Sequence, residues 1–266
     1  MHWIEQGPGV DATAVVLIHG LGGDAQFWGV EQTALARHFR VLAVDLRGSG
    51  LSPGTLEAFS IEDLARDVEC MLDEAGISSA HVIGFSLGGV VAQALAVASP
   101  HRVKRLVLAA TFAIVYPQAR LFLEAIGSVY RDGISARQLY ELVLPWLFSA
   151  AFLSDPRATP YLIYPDDPGG EQSREDWLRL LDALLAFDGR ARLAEIRMPT
   201  LIISGDEDCL APRAGAEALA EGIQGSVLKI VAGGHLMNVE SPDEFIAQIE
   251  RFLSSDQPSA LLTRQP

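Results

Sequence analysis

The sequence predicts an α/β fold with a mostly parallel central sheet and helices on both faces. Three observations carry that expectation. Apolar runs rich in Val, Ile and Leu recur at residues 14–18, 40–44, 81–85, 106–110, 201–204 and 227–231, each of a length that suits one strand. The runs are continuous rather than alternating, which is what strands covered on both faces require. Helical periodicity lies between several of them, as the crossovers of a parallel sheet demand.

The clearest helix covers residues 61–75, where Ile61, Leu64, Ala65, Val68, Leu72 and Ala75 fall three or four apart on one face. Ser60 is placed to accept from the orphan amides of its first turn, and Asp63 stands three residues on, as in a capping box. Gly76 suits the left-handed stop. Residues 87–98 are nearly all apolar or small, so they predict a helix packed directly on the sheet and ended before Pro100. From 118 to 187 the strand signal disappears. That stretch is helical in character and is broken by Pro145, Pro156, Pro160, Pro165 and Pro168, so it reads as a helical lid. Strand and helix signals resume at Met198, and a last helix covers 242–253. The expected division is a core of residues 1–112 and 191–255, a lid insertion over 113–190, and a loose tail over 256–266.

Composition bounds the function. The 266 residues are 49% hydrophobic, enough to bury a large core, which excludes disorder for the bulk of the chain. Acidic side chains outnumber basic ones by 34 to 20, and the net charge of −14 repels nucleic acid and anionic membranes alike. The short basic run 101–105 reads as a solvated strand entrance. Cys70 and Cys209 are too far apart for a C-x-x-C pair and too few for a disulfide framework. The first residues show neither a basic segment nor an apolar run, and nowhere do about 18 apolar residues follow one another. A soluble, cytoplasmic protein is expected; its oligomeric state is not legible in one chain.

Gly84-Phe85-Ser86-Leu87-Gly88 matches G-x-S-x-G, with a predicted strand entering it and a predicted helix leaving it. A sharp strand-to-helix turn of that kind exposes a serine hydroxyl at the helix N-terminus, and the flanking glycines let neighbouring backbone approach. The same residues also suit a turn that uses Ser as a helix cap. A serine becomes a nucleophile when an imidazole removes its proton, the other ring nitrogen being held by a carboxylate. Of the six histidines, His19 and His235 lie in glycine-rich loops, and His235 follows a predicted strand in Ala232-Gly233-Gly234-His235. Ligand sites of open α/β sheets lie at such strand ends. An ordinary turn residue is the other reading of His235. The acid is expected after another strand, in Gly205-Asp206-Glu207-Asp208. Three carboxylates in a row also suit a solvated turn; Asp208 is chosen because the apolar Cys209-Leu210-Ala211-Pro212 follows it. Backbone N–H groups for a developing oxyanion are expected from Leu87, the residue after the serine, and from Leu21 in His19-Gly20-Leu21-Gly22-Gly23. That loop has neither G-x-G-x-x-G nor a P-loop lysine, which argues against phosphate binding.

Taken together, these segments resemble the α/β-hydrolase superfamily, with Asp45-Leu46-Arg47-Gly48-Ser49-Gly50-Leu51-Ser52 as a further match. The resemblance implies that Asp208, three residues after the strand-end glycine, is the acid, and that Asp45 and Arg47 brace the loop near the oxyanion site. It also matches Glu240-Ser241-Pro242 to the helix start that follows the histidine. Members that use Asp as nucleophile, the haloalkane dehalogenases and epoxide hydrolases, are disfavoured by Ser86. The chain is most similar in motif to 3-oxoadipate enol-lactonases and related small carboxylesterases. What this implies is a serine hydrolase that cleaves a small carboxylic ester or lactone through Ser86, His235 and Asp208 and an acyl-enzyme. Two alternatives share the residues: a C–C bond hydrolase of ring-fission products, and a slow-turnover signalling receptor. No metal or organic cofactor is implied, since the histidines form no H-x-x-x-H pair. Trp28, Phe112, Trp146, Phe148 and Trp177 are candidates for an apolar substrate pocket, with core packing as the plainer role.

Overall fold

The computed structural model describes residues 1–164 and 172–255. The expected tail, together with Pro165 and Pro168, lies outside the described residues. Seven strands form one sheet: β1 Trp3–Gln6, β2 Ala14–Ile18, β3 Arg40–Val44, β4 Ala80–Phe85, β5 Val103–Ala109, β6 Thr200–Gly205 and β7 Val227–Val231. Their order across the sheet is β1-β3-β2-β4-β5-β6-β7, parallel throughout except for β1. Sequence patterning misses β1, a four-residue edge strand with two exposed residues. An edge strand half open to water carries no continuous apolar run.

The connecting helices are α1 Gly29–Leu35, α2 Ile61–Glu74, α3 Leu87–Ala98, α4 Pro117–Arg131, α5 Ala136–Leu147, α6 Ala150–Leu153, α7 Arg174–Ala186, α8 Arg213–Gly222, α9 Met237–Glu240 and α10 Pro242–Ser254. The central strands β2, β3, β4 and β6 are buried along their length because both sides are covered. Val15, Leu17 and Val41 point into a core shared with Leu35 of α1 and Phe245 and Ile249 of α10. Val16, Ile18 and Leu42 point into a second core with α2, α3, α8 and the paired helices α4 and α7. Ser60 and Asp63 close both halves of the capping box on α2, and Gly76 takes φ +70° just beyond it. Pro145 sits in the last turn of α5 and does not break it: the helix runs on to Leu147.

Strand order is what places the site. From β2 the chain steps outward to β3, then crosses back to β4 on the other side of β2. Connections leaving β2 and β4 therefore diverge at their carboxyl ends and leave a crevice between them. Residues 19–23 and Ser86 open onto that crevice.

Candidate active site

Ser86 links β4 to α3 with φ 52° and ψ −116°, a conformation that costs a residue with a Cβ about 1–3 kcal/mol and persists only where neighbours enforce it. They do so here. Its amide donates to Ala109 O at 2.9 Å, and its carbonyl accepts from Thr111 Oγ1 at 2.8 Å and from the Gly89 amide at 2.9 Å. The flanking glycines are required by close approach: a Cβ on Gly84 would lie 2.3 Å from Gly88 O, and one on Gly88 would lie 2.1 Å from Ile18 O.

Three side chains from three strand ends meet at this turn. His235 Nε2 lies 3.0 Å from Ser86 Oγ, and His235 Nδ1 lies 2.9 Å from Asp208 Oδ2. Ser86, Asp208 and His235 are 9%, 5% and 4% exposed, so water scarcely reaches the line they form. Of the three carboxylates after β6, Asp208 alone is buried. Its Oδ1 accepts from the amides of Leu210 and Ala211 at 2.9 and 2.8 Å, which fixes the carboxylate plane against the imidazole. Asp206 turns instead to the Gly233 amide at 2.8 Å and joins the two loops behind the histidine. Phe85 meets the His235 ring edge-on at 5.2 Å.

The glycine-rich loop after β2 passes directly over Ser86: a Cβ on Gly20 would lie 3.3 Å from Ser86 Cβ. Leu21 is the next residue, and Leu87 contributes the first amide of α3, one of the donors that no helix ladder satisfies. The loop hangs on His19. Its Nε2 accepts from the Leu46 amide at 3.1 Å, so the proton sits on Nδ1 and is donated to Gly20 O at 2.7 Å. Complete burial pushes the His19 imidazole below its ordinary value and keeps it neutral. Asp45 braces the region behind the loop, with Oδ1 accepting from the Ala25 amide at 2.7 Å and Oδ2 from the Leu51 amide at 2.9 Å. His2 Nδ1 adds a contact of 2.6 Å to Oδ2, a partner the sequence does not signal at a chain end. Arg47 turns away to Asp67 of α2, at 2.8 and 2.7 Å.

The five candidate pocket aromatics separate. Trp28 is 0% exposed and packs edge-on against Phe27 and Phe85 in the core, so it lines no open space. Phe112 is buried beneath α8 near Gly215. Trp146 stacks on Phe122 at 4.1 Å, within the helices between β5 and β6. Trp177 reaches the loop after β2 with its side chain, whereas Phe148 approaches the histidine loop by its backbone alone, its ring packing against Phe152 and Tyr161. A Cβ on Gly22 would lie 3.2 Å from Trp177 Nε1, and one on Gly234 would lie 2.7 Å from the Phe148 carbonyl carbon. Gln172 also reaches across, donating to Gly48 O and Ser49 Oγ at 2.8 Å each. A separate groove of about 730 Å³, lined by Tyr116, Pro117, Leu193, Gly215 and Gly222 among others, includes none of the three aligned residues. Among the described residues no cluster of three or more His, Cys, Asp or Glu is placed to hold a metal ion, and no helix is long and apolar enough to cross a membrane.

A parallel sheet with this strand order, carrying a serine on a strained strand-to-helix turn, defines the class of protein. The family model described as alpha/beta hydrolase fold matches residues 13–242, and the chain belongs to that family. Within it the chain is a hydrolase enzyme resembling small esterases and lactonases. It is 33% identical over 240 residues to a protein of Azorhizobium caulinodans provisionally named carbamate hydrolase RutD, covering 88% of each. The enol-lactonase from Burkholderia xenovorans LB400 superposes with a TM-score of 0.87 at 30% identity, over 96% of each chain. A hydrolase from Pseudomonas aeruginosa PA01 gives 0.85 at 31% identity, over 95% of this chain and 94% of its own.

Proposed function

We propose that the protein is a serine hydrolase of small carboxylic esters or lactones, working through an acyl-enzyme. The observation that carries this reading is the line from Ser86 Oγ through the His235 ring to Asp208, at 3.0 and 2.9 Å. Ser86 Oγ attacks the substrate carbonyl carbon while His235 Nε2 takes the hydroxyl proton. The negative charge that develops on the carbonyl oxygen is met by the Leu21 and Leu87 amides. As the tetrahedral intermediate collapses, the C–O bond to the leaving group breaks and His235 returns the proton to the departing oxygen. Water then attacks the acyl-enzyme, with His235 taking its proton and passing it to Ser86 as the acid is released. Asp208 holds His235 with its proton on Nδ1 and stabilises the imidazolium of each step.

The helices α4 to α7 act as a lid in this reading, supported by the contacts of Trp177 with Gly22 and of Phe148 with Gly234. The burial of Ser86 supports a site in which the acyl-enzyme is shielded from bulk water. The likeness to an enol-lactonase over nearly the whole chain supports an ester or lactone carbonyl as the target. The name of the A. caulinodans relative favours a second reading, cleavage of a small carbamate by the same residues.

Steady-state hydrolysis of p-nitrophenyl esters from acetate to octanoate, with the wild type and Ser86→Ala, tests the proposal. Repeated turnover abolished by the substitution is expected, and the preferred chain length sizes the pocket. Release of a single equivalent moves the reading to a slow-turnover receptor. Ammonia release from an N-unsubstituted carbamate, faster than any ester is cleaved, selects the second reading.

A further inference from the structure

We propose that Glu240 is a positioning residue that makes lid closure and the placement of His235 a single event. The inference rests on the serine hydrolase reading above and extends it to a residue outside the reacting line.

Glu240 ends α9, five residues after His235, and its carboxylate is buried. Its Oε1 accepts from two backbone amides at once: Gly234, immediately before His235, at 2.9 Å, and Ser149, in the lid, also at 2.9 Å. Oε2 accepts from the Ser149 hydroxyl at 2.5 Å. On the other side of the histidine, the Leu236 amide donates to Leu147 O of the lid at 2.8 Å. The amides of the two residues on either side of His235, Gly234 and Leu236, are therefore held by a group that is in the lid or bound to it. Phe148, between Leu147 and Ser149, packs with Phe152 and Tyr161, so the tie is to a packed part of the lid. Arg157 Nη1 adds a bond to Glu240 O at 3.2 Å.

The chemistry of the residue fits the task. An ionised carboxylate is acceptor-only and has lone pairs for three donors, whereas an amide has one oxygen to offer. Without Glu240, the buried amides of Gly234 and Ser149 lose their shared acceptor, and the lid and the histidine loop are free to move apart. His235 has little tolerance for that, because its two ring nitrogens must meet Ser86 and Asp208 together. An open lid releases Ser149, and with it the restraint on the histidine backbone; closure over substrate restores both.

The test compares Glu240→Ala, Glu240→Gln and Ser149→Ala with the wild type in p-nitrophenyl butyrate hydrolysis. Active sites are counted by labelling Ser86 with a fluorophosphonate, and folding is followed by thermal denaturation. Glu240→Ala is expected to lower kcat per labelled site by about 10- to 100-fold with KM changed less than about twofold, the signature of misplacement of a reacting group rather than of lost binding. Glu240→Gln keeps an oxygen for the two amides and is expected to recover most of kcat. Ser149→Ala leaves the bond to Gly234 and cuts the lid side chain loose, with an expected fall in kcat of about 3- to 10-fold. A purely structural Glu240 lowers the melting temperature and the labelled fraction but leaves kcat per labelled site at the wild-type value, and that result overturns the proposal. If Glu240→Ala does not fold, an unchanged kcat in Ser149→Ala overturns it instead. Failure of the underlying reading has a different mark: hydrolysis that survives Ser86→Ala, whatever Glu240 does.

Discussion

Replacing Asp208 by Asn separates the proposed chemistry from mere packing at His235. The two side chains have nearly the same shape, and the structure fixes which way the amide must face. Asp208 Oδ1 accepts from the Leu210 and Ala211 amides at 2.9 and 2.8 Å, so the Asn oxygen must take that position. The NH₂ group is then left where Oδ2 lies 2.9 Å from His235 Nδ1. Flipping the amide would set NH₂ against two N–H donors, a loss of two buried hydrogen bonds. Oδ1 also lies 3.1 Å from Nδ1, but it already serves two amides; with a donor at the shorter 2.9 Å approach, Nδ1 is favoured as the acceptor and the ring proton moves to Nε2, which then cannot take the proton of Ser86. Wrong-tautomer enzymes of this kind lose about 10⁴ in kcat, a barrier increase of about 5 kcal/mol at 1.36 kcal/mol per tenfold. The assay is steady-state hydrolysis of a p-nitrophenyl ester with Asp208→Asn, beside Asp206→Asn and Glu207→Gln as controls for the neighbouring carboxylates. The melting temperature of Asp208→Asn should stay close to that of the wild type, since volume and both Oδ1 bonds are kept. A kcat within tenfold of wild type, or a larger loss in either control, would refute the assignment of Asp208.

Other consequences are more local. Gly88→Ala places a Cβ 2.1 Å from Ile18 O, a backbone clash at the centre of the sheet; a loss of about 3 kcal/mol or more is expected, read as a fall of about 6–12 °C in melting temperature. Asp45→Asn sets an NH₂ against either the Ala25 or the Leu51 amide, and a loss of about 1–3 kcal/mol in urea denaturation is expected together with reduced activity, because the loop over Ser86 is braced there. Burial, helped by Arg105 and Lys104, pulls the His81 imidazole down from 6.5 to about 4. The folded protein thus binds that proton more weakly than the unfolded chain, so the contribution of neutral His81 is complete above pH 6.5 and is lost as the pH falls toward 4, by about 3 kcal/mol at most. His81→Leu should flatten the fall in stability between pH 6.5 and 4, leaving the share due to His19, whose shift has the same direction; an unchanged pH profile would show that His81 is not the group responsible.

Much of the core is legible in the chain itself. Apolar runs mark β2 and β3 to the residue, because a strand covered on both faces has little polar side to show, and the Val, Leu and Ile residues of β7 mark that half-buried edge strand despite Lys229. Ser60 and Asp63 announce the start of α2, since capping is an interaction between residues three apart. β1 is not legible, for its partner is Val41 to Val44, some forty residues away, and its own four residues carry no pattern. Trp28 illustrates a choice the chain leaves open. An aromatic side chain suits a pocket wall or the core, and the packing of Phe27 and Phe85 around Trp28 places it in the core. Glu240 reads as part of a helix-start motif, and nothing in the chain near it announces the bonds to Ser149, 91 residues away.

By itself the sequence determined the succession of strands β2 to β7, the helices α2, α3 and α10, the sharp serine turn between two glycines, and a short list of histidines and carboxylates at strand ends. Those features rest on periodicity, turn chemistry and spacing, all of which act over a few residues. The tertiary structure decided which carboxylate is buried, that His235 stands between Asp208 and a serine 149 residues earlier, and where residues 147–149 lie against its loop. These depend on sheet register and on helices packed from both sides, so they are settled by contacts between segments that no local pattern connects.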